Sequence, residues 1–451
     1  MFPRPTSPFS AFVIADRFFD PATGEAILRY KFEGGETFEE RLVFPMPVTA
    51  PNVEAIAAAE QALRLYHFVA GTSYFKMYCP STVKVSEPLA SAEVEFLSDV
   101  YEQGLAEFYY RNGLDGRGWV EIKEAERAVE AERVVGLLGG EGVFVPLGGG
   151  KDSALTVLML QKDKVKVECV SFGDQPRIEE TATALGTPLW TIKRQIDPKL
   201  FELNKQGVYN GHVPVSAMIA SACVALAALH GKKDVVLSNE RSSDSGNLIV
   251  DGVEVNHQYS KGFAFEQAFA ELVRTTVASD IRFFSFMRPV SELLIVREFV
   301  HLAPPIVRAT ITSCNRQFRQ GATGAGGRWC GECPKCAFAY AAFAAFLKPM
   351  ELAEMFGQDL FAKRLMLSLY RDLCGWGENK PFECVGEAEE VIVALDLAIE
   401  QGHDANAPVL AWFVREVRPT IVDIDELMVR VFTVSDVHAT PDDYRLLYET
   451  F

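Results

Sequence analysis

The chain has 451 residues, of which 49% are hydrophobic and 23% are charged. These fractions are typical of globular proteins and exclude a disordered or fibrous chain, and the length predicts two or three domains of about 150 residues each. Because 61 Asp and Glu residues outnumber 44 Lys and Arg residues, the net charge is −17. This charge disfavours a general nucleic-acid-binding protein, although contact with RNA through one small basic face stays open.

The apolar segments predict neither a signal peptide nor a membrane span. Residues 1–5 do not form a basic stretch followed by an apolar one, as a signal peptide would. The longest uncharged apolar run, 213–229, is shorter than the ~20 residues that a membrane-spanning helix needs, and it is rich in Ala and Ser. We therefore expect a cytoplasmic protein without a membrane partner.

Residues 1–130 are predicted to form an N-terminal α+β module. Its first part has short β-prone runs at 12–14, 26–30 and 41–44, separated by turns that contain glycine. Its second part has helical spacing of apolar residues, and the two predicted helices span 53–68 and 92–110. This region contains no nucleotide-binding motif, and its pattern does not indicate a function of its own.

Residues 131–310 alternate between predicted strands and helices. The strands are expected at 142–147, 165–172, 188–192 and 234–238, and the helices at 154–160, 179–185 and 214–229. Such alternation predicts an α/β domain with a mostly parallel sheet. Ligands bind these sheets at the carboxyl ends of the strands, so the residues that follow the strands are candidates for a site.

A glycine-rich turn joins the first of these strands to its helix, with the sequence Gly148, Gly149, Gly150, Lys151, Asp152, Ser153. Three glycines allow the backbone to approach a ligand closely, and the helix N-terminus offers unpaired N–H groups to an anion. Lys151 would offset phosphate charge, Ser153 would donate to a phosphate oxygen, and Asp152 would hold Mg²⁺. The alternative interpretation is a strand-to-helix turn without a ligand.

Two polar pairs follow in the same region. Asn239 and Glu240 come directly after the strand at 234–238 and are candidate ligands of a nucleotide or of Mg²⁺, the alternative being a solvated loop. His257 and Lys261 belong to a dense set of donors and acceptors that opens a helix. His257 is a candidate general base or phosphate donor, and its alternative is a helix-start residue without chemistry.

Four of the nine cysteines have a spacing that is typical of a metal site. Between Cys314, Cys330, Cys333 and Cys336 lie 15, 2 and 2 residues. In a chain without an export signal, this cluster indicates metal ligation before disulfide bonding. Four thiolates form a closed tetrahedral Zn²⁺ site, and an iron–sulfur cluster is the alternative.

The cysteine cluster lies in a third predicted region, residues 311–451, which is otherwise helical. Helices are expected at 351–355, 365–373, 387–401 and 409–417. Before the third of these, Lys380, Glu383 and Cys384 combine a cation, an acid and a thiol beside a helix start, where the pKa of a thiol is lowered. A capped helix start without chemistry is the alternative.

The glycine-rich segment 148–153 resembles the PP-loop of N-type ATP pyrophosphatases, whose pattern is S-G-G-x-D-[ST]. These enzymes split ATP into AMP and pyrophosphate and adenylate a carboxylate or a similar oxygen. Gly148 departs from the pattern, since the family has Ser there. The resemblance covers about residues 140–345. It implies that Ser171 and Phe172, at the end of the second strand, hold adenine through backbone groups, and the four cysteines resemble the zinc site of the PP-loop enzymes that make 7-cyano-7-deazaguanine.

The arrangement of the whole chain resembles a family of bacterial muropeptide glutamate epimerases. The resemblance implies inversion of the terminal L-Glu of UDP-N-acetylmuramoyl-L-Ala-L-Glu, a peptidoglycan precursor, to D-Glu. ATP and Mg²⁺ would be required, AMP and pyrophosphate would be released, and the zinc would be structural. Inversion needs two proton-transfer groups or one mobile group, and the unranked candidates are His257, Lys261, Lys380, Glu383 and Cys384.

Two alternatives stay open at this point. The first is another carboxylate-activating PP-loop enzyme, of the type that forms an amide or a cyano group on a deazapurine. The second is a nucleotide-binding zinc protein without turnover. The sequence does not indicate the oligomeric state.

Overall fold

The computed structural model describes residues 2–124, 140–318, 327–377 and 380–451. Its strands are β1 (Phe12–Asp20), β2 (Glu25–Phe32), β3 (Thr37–Val43), β4 (Thr82–Val85), β5 (Glu121–Glu124), β6 (Val143–Pro146), β7 (Val167–Phe172), β8 (Leu189–Gln195), β9 (Asp234–Leu237), β10 (Leu248–Val250), β11 (Val253–Val255) and β12 (Arg282–Ser285).

The helices of the first two regions are α1 (Val53–Ala70), α2 (Thr72–Phe75), α3 (Ser91–Glu102), α4 (Ala106–Arg111), α5 (Lys151–Lys162), α6 (Pro176–Leu185), α7 (Pro198–Lys205), α8 (Val215–Leu229), α9 (Phe263–Leu272) and α10 (Glu292–Leu302). The second region ends with α11 (Pro305–Thr310), and the helices of the C-terminal region are α12 (Pro334–Ala344), α13 (Pro349–Phe356), α14 (Leu367–Leu373), α15 (Ala388–Glu400), α16 (Pro408–Trp412), α17 (Ile424–Phe432) and α18 (Asp442–Arg445).

A large, mostly parallel sheet organises the molecule, with the strand order β12-β9-β6-β7-β8-β3-β2-β1-β4-β5. The five strands from β12 to β8 are all parallel, and they extend from β6 in both directions: β7 and β8 lie on one side, β9 and β12 on the other. The α/β class and the helical C-terminal region are thereby confirmed. The order of the strands reverses between β6 and β9, and a ligand site is expected at such a reversal.

Both faces of the parallel strands are covered, because successive side chains of a strand point to opposite faces. Val143 and Val145 of β6 pack with α5, α10 and the C-terminal helices α12 and α15. Phe144, between them, packs on the other face with the core that contains α1 and α8. The C-terminal helices and the N-terminal region therefore enclose the sheet from opposite sides.

The N-terminal region continues the same sheet. Strand β3 pairs with β8 in antiparallel fashion, and α1 packs along α8. At this junction the guanidinium of Arg194 donates two hydrogen bonds of 2.9 Å to the fully buried carboxylate of Glu40, which also accepts from Tyr66 Oη at 2.6 Å. The expected boundary at residue 130 lies outside the described residues.

One helix prediction is wrong in detail. The single helix expected over 92–110 is two helices, α3 and α4, with a turn at Gly104. A Cβ built on Gly104 would lie 2.4 Å from the carbonyl oxygen of Val100, so the backbone can turn this tightly only with glycine there. In the part of the chain that the structure describes, no helix has the length and apolar character needed to cross a membrane.

Candidate functional site

A pocket lies at the carboxyl ends of β6 and β9, where the strand order reverses. Its walls come from the start of α5, the loop after β9, the start of α10, α12 and the loop before α15. The lining residues are Lys151, Asp152, Ser238, Asn239, Glu240, Lys261, Glu292, Ser313, Lys335, Phe338, Ala339 and Cys384. Six of the sequence-predicted site residues are in this list: Lys151, Asp152, Asn239, Glu240, Lys261 and Cys384.

The glycine loop leads from β6 directly to the pocket residues Lys151 and Asp152. Gly149 has φ +76°, in the left-handed region that favours glycine, and a Cβ there would lie 3.1 Å from the ring of Phe318. Gly150 precedes α5 without a side-chain cap, so the N-terminus of this 12-residue helix keeps N–H groups for a ligand. The Ser153 hydroxyl accepts from the backbone N–H of Gly148 at 3.2 Å.

Lys151 is held between two carboxylates. Its ammonium group donates to Asp152 Oδ1 at 2.6 Å and to Glu292 Oε2. Burial lowers the pKa of Lys151, but the charges of Asp152 and Glu292 outweigh it and raise the pKa, so Lys151 is cationic at neutral pH. The sequence analysis did not single out Glu292, which is the first residue of α10 and comes from a segment without a recognised motif.

Glu292 and two further buried acids, Glu240 and Glu390, have raised pKa values. Burial raises the pKa of Glu240 to about 7, that of Glu292 to about 8 and that of Glu390 to about 7, and their mutual repulsion adds to the effect. Glu240 Oε2 accepts from the N–H of Ser243 at 3.1 Å. Glu240 and Glu292 line the pocket, so two of these acids lie beside the N-terminus of α5.

Cys384 also lines the pocket, and basic residues lie near its thiol. Lys261 Nζ donates to Cys384 Sγ at 3.3 Å, and His257 is close enough to lower the pKa of this thiol. Burial alone would raise the pKa of Cys384. The positive charges of Lys261 and Lys335, together with His257, have the larger effect and lower this pKa well below its ordinary value. These charges therefore favour the thiolate form of Cys384.

Behind this thiol, His257 is held by an acid from the N-terminal region. His257 Nδ1 contacts Glu107 Oε2, and His212 Nδ1 lies 3.4 Å from the same oxygen. Burial lowers the pKa of His257, but Cys384 and Glu107 raise it to about 9. Glu107 was not predicted as a site residue. Its position between the apolar residues Leu105 and Phe108 is the feature of the sequence that could have indicated a buried acid.

The other predicted site residues lie at the edge of the pocket or outside it. Lys380 Nζ donates to Glu387 Oε1 at 2.9 Å, and Glu383 accepts from the amide of Asn315. Ser171 and Phe172 end β7, and the buried Ser171 hydroxyl donates to the carbonyl of Gly173 at 2.8 Å. Their contact with adenine stays a prediction, and so do the individual roles of all the site residues.

The four cysteines come together as their spacing predicts. Their sulfur atoms all lie within 4.8 Å of one another, Cys330 Sγ and Cys336 Sγ are 3.6 Å apart, and none of the four forms a disulfide. Thiolates bound to one metal ion at about 2.3 Å in a tetrahedron are separated by about 3.8 Å, so the cluster could hold a metal ion. Gly331, between the second and third ligands, has φ +65° and provides the turn.

The cysteine cluster adjoins the pocket through the backbone that contains its first ligand. Just before Cys314, the N–H of Thr312 donates to the carbonyl of Gly149 at 2.8 Å, and Ser313 lines the pocket. After the last ligands, α12 supplies Lys335 to the pocket. A metal at this cluster would therefore hold the glycine loop and one wall of the pocket in place.

Comparison with known proteins identifies relatives over almost the whole chain. Residues 4–286 match the MurL N-terminal domain, and residues 310–426 match the MurL C-terminal domain. A UDP-N-acetyl-alpha-D-muramoyl-L-alanyl-L-glutamate epimerase of Xanthomonas oryzae pv. oryzae is 37% identical over 423 residues, which cover 94% of this chain and 93% of that protein. Proteins of the same name from Salinispora tropica and a Micromonospora species are 37% and 35% identical, over 91% and 96% of this chain and 89% and 96% of their own lengths.

Proposed function

The chain belongs to the MurL family, and on that premise we propose that it inverts the terminal L-Glu of UDP-N-acetylmuramoyl-L-Ala-L-Glu to D-Glu during peptidoglycan precursor synthesis. The observation that carries this proposal is the match to both family domains together with relatives of this name over more than nine-tenths of the chain. The same relatives favour an enzyme over a nucleotide-binding protein without turnover.

We further propose that the core is a PP-loop domain that binds ATP. The strand order around β6 and the uncapped N-terminus of α5 support a phosphate site at the reversal between β6 and β9. A Cβ added at Gly148, where the PP-loop pattern has Ser, meets nothing within 4 Å. Glycine in place of serine at this position therefore removes a hydroxyl contact, and the structure has room for either residue.

The charged residues of the pocket have distinct tasks in this proposal. Lys151 neutralises phosphate charge, and Glu292 holds its ammonium group in place. Asp152 and Glu240 are the residues that would hold Mg²⁺, which offsets the negative charge of the phosphates when bound. Because the pocket places these carboxyl groups beside a helix N-terminus, cation and anion sites adjoin each other.

Adenylation explains why an epimerase would use ATP. Removal of the α-hydrogen beside a free carboxylate builds up a dianion, which makes that hydrogen very weakly acidic. Once the carboxylate is joined to AMP, the carbonyl can accept the electron pair as an enolate. A base can then remove the proton, an acid can return one on the opposite face, and water can cleave the anhydride to release AMP. Among the candidate groups for this work, Lys261 and Cys384 line the pocket.

The first experiment mixes purified protein, ATP, Mg²⁺ and the UDP-linked dipeptide. AMP is measured, and the chirality of glutamate is determined after acid hydrolysis of the product. We expect AMP together with D-Glu. AMP without D-Glu would contradict the proposed epimerase activity but would still support activation of a carboxylate. D-Glu without AMP would contradict the proposed adenylation step.

A matched pair of variants tests the ATP site itself. We expect Asp152→Asn to lower AMP formation by at least about 100-fold, since it removes a Mg²⁺ ligand while it keeps the shape of the side chain. The control is Asp163→Asn at the exposed end of the same helix, which should keep wild-type turnover. Equal turnover of the two variants would contradict the role of Asp152.

A further inference from the structure

We propose that Cys384 is a catalytic residue that exchanges the α-proton of the substrate glutamate, and that Glu107 is a positioning residue that holds His257 against it. This inference rests on the proposed function and deepens it, because it selects one group from several candidates and adds one from the N-terminal region. It depends on three observations: Cys384 lines the same pocket as Lys151 and Asp152, Lys261 donates a hydrogen bond to its sulfur, and Glu107 contacts the His257 imidazole that lies near it.

Cys384 has the position that this task requires. It is the cysteine among the pocket-lining residues, so it faces the space that Lys151 and Asp152 also face. Its sulfur accepts a hydrogen bond from Lys261 Nζ at 3.3 Å, and Lys335 lines the same pocket. The ammonium group of Lys261 on the sulfur, with the charges of Lys335 and His257 nearby, favours the thiolate, which is the form of cysteine that takes up a proton.

The contact between His257 and Glu107 fixes the imidazole. Glu107 Oε2 contacts His257 Nδ1, while its Oε1 contacts Arg111 on the same helix. The backbone N–H of His257 donates to Asn247 Oδ1 at 2.8 Å, which fixes the residue at a second point. A base partner oriented by a third group is the arrangement that activates thiols in other catalytic sites. Here Glu107 acts through His257 and not on the substrate.

The proposed step transfers one proton from carbon to sulfur and moves one electron pair. The Cys384 thiolate takes the proton from Cα of the activated glutamate, so an S–H bond forms as the Cα–H bond breaks. The electron pair of that bond moves into the acyl carbonyl as an enolate. In the opposite direction the thiol returns its proton to Cα on the same face. Protonation of the other face is the task of a different group, and Cys384 accounts for one of the two transfers.

The other candidates are less suited to remove this proton. The charges of Cys384 and Glu240 outweigh burial and raise the pKa of Lys261, so its amine is protonated at neutral pH and cannot act as the resting base. Lys380 is paired with Glu387 at 2.9 Å, and Glu383 is bound by the amide of Asn315. Cys384 is therefore the candidate that combines a basic form with a place in the pocket wall.

The test compares Cys384→Ala and Cys384→Ser with wild type in the complete reaction. We expect D-Glu formation to fall by about 10²- to 10⁴-fold in both variants. AMP should still form, because adenylation does not use the thiol and water then cleaves the unchanged L-glutamyl adenylate. The matched control is Cys374→Ala, which removes a thiol that is buried in the apolar core and should leave D-Glu formation near the wild-type rate.

Glu107→Gln tests the positioning role through the pH profile. The groups that face His257 are Glu107, Arg111, His212, Glu383 and Cys384. Without the charge of Glu107, His257 should lose its proton at lower pH, and the alkaline limb of kcat/KM should move down by about one pH unit or more. The control is Glu102→Gln, which changes a half-buried acid at the end of α3 that accepts one backbone hydrogen bond from Gly118.

The outcomes separate this inference from the function on which it rests. D-Glu formation in Cys384→Ala within about threefold of wild type would overturn the role of Cys384, and so would a parallel loss of AMP and D-Glu. An unshifted pH profile in Glu107→Gln would overturn the role of Glu107. Failure of the wild-type protein to make D-Glu would instead contradict the proposed function, whatever the variants do.

Discussion

The conformation of the glycine loop leads to a prediction that two neighbouring residues can test against each other. Gly149 has φ +76°, whereas Gly148 lies outside the left-handed region. A Cβ at Gly149 would be strained and would lie 3.1 Å from the ring of Phe318, but a Cβ at Gly148 meets nothing within 4 Å. Gly149→Ala should therefore disturb the loop, and Gly148→Ala or Gly148→Ser should not.

The magnitude follows from the cost of the left-handed conformation. For a residue with a Cβ it is about 1–2 kcal/mol. If the loop of the Gly149→Ala variant relaxes to a negative φ, the carbonyl of Gly149 turns away from the N–H of Thr312, which it now meets at 2.8 Å. ATP then has to restore the strained conformation, and 1–2 kcal/mol corresponds to about 5- to 30-fold weaker binding.

The assay is equilibrium titration of each variant with a non-hydrolysable ATP analogue and Mg²⁺, followed by AMP formation at saturating ATP. We expect weaker binding in Gly149→Ala and wild-type binding in Gly148→Ser. Equal affinities of the two variants would show that the conformation of this loop does not affect ATP binding. That result would refute the proposal that the loop binds the phosphates.

Three further predictions concern the metal, a buried acid and the junction of the sheet. Elemental analysis should find about one zinc and no iron per chain, and Cys330→Ser should lose the zinc and bind ATP more weakly, because Thr312 no longer fixes the glycine loop. Burial raises the pKa of Glu390 to about 7 from 4.5, so the folded state holds a proton that the unfolded chain releases, and stability falls as the pH rises through this range. Glu390→Gln should therefore raise Tm over wild type by more at pH 8 than at pH 5. Arg194→Ala leaves the fully buried Glu40 carboxylate without its cation and should destabilise the protein by about 3–5 kcal/mol in denaturant unfolding, with Arg177→Ala at a half-exposed pair as the control.

The local patterns predicted most of the parallel sheet. Runs such as 142–147 and 234–238 are short and apolar on both faces, and polar or glycine-rich segments follow them, so they identify buried parallel strands. The same logic placed Lys151, Asp152, Asn239 and Glu240 at one sheet edge, and the structure brings them to one pocket. Spacing alone predicted the cysteine cluster, because close ligands in a metal loop are also close in sequence.

The pairing of β3 with β8 and the partner of His257 depend on contacts between distant segments. The sequence of β3 has the alternating pattern of an amphipathic strand. That pattern does not indicate which strand it pairs with, and in the structure the partner is β8. Glu107 is 150 residues from His257 in the sequence. Taken alone, Glu107 is an acidic residue on a helix and His257 is a polar residue before one, so neither indicates the other as its partner. Only the packing of α4 against the hairpin that contains β11 brings the two side chains together.

This packing gives the N-terminal region a part in the site that its sequence did not reveal. Helix α4 supplies Glu107, the loop before α8 supplies His212, and the parallel strands supply Lys151 and Glu240 through the segments that follow them. The C-terminal region adds Cys384 from the opposite face of the sheet. A reaction with an activation step and a proton-transfer step needs two sets of groups around one glutamate. In the proposed mechanism the activating residues follow the parallel strands, whereas the proposed proton-transfer residues lie where the N-terminal and C-terminal regions meet. We therefore expect variants at Asp152 and at Glu107 to separate the two steps kinetically.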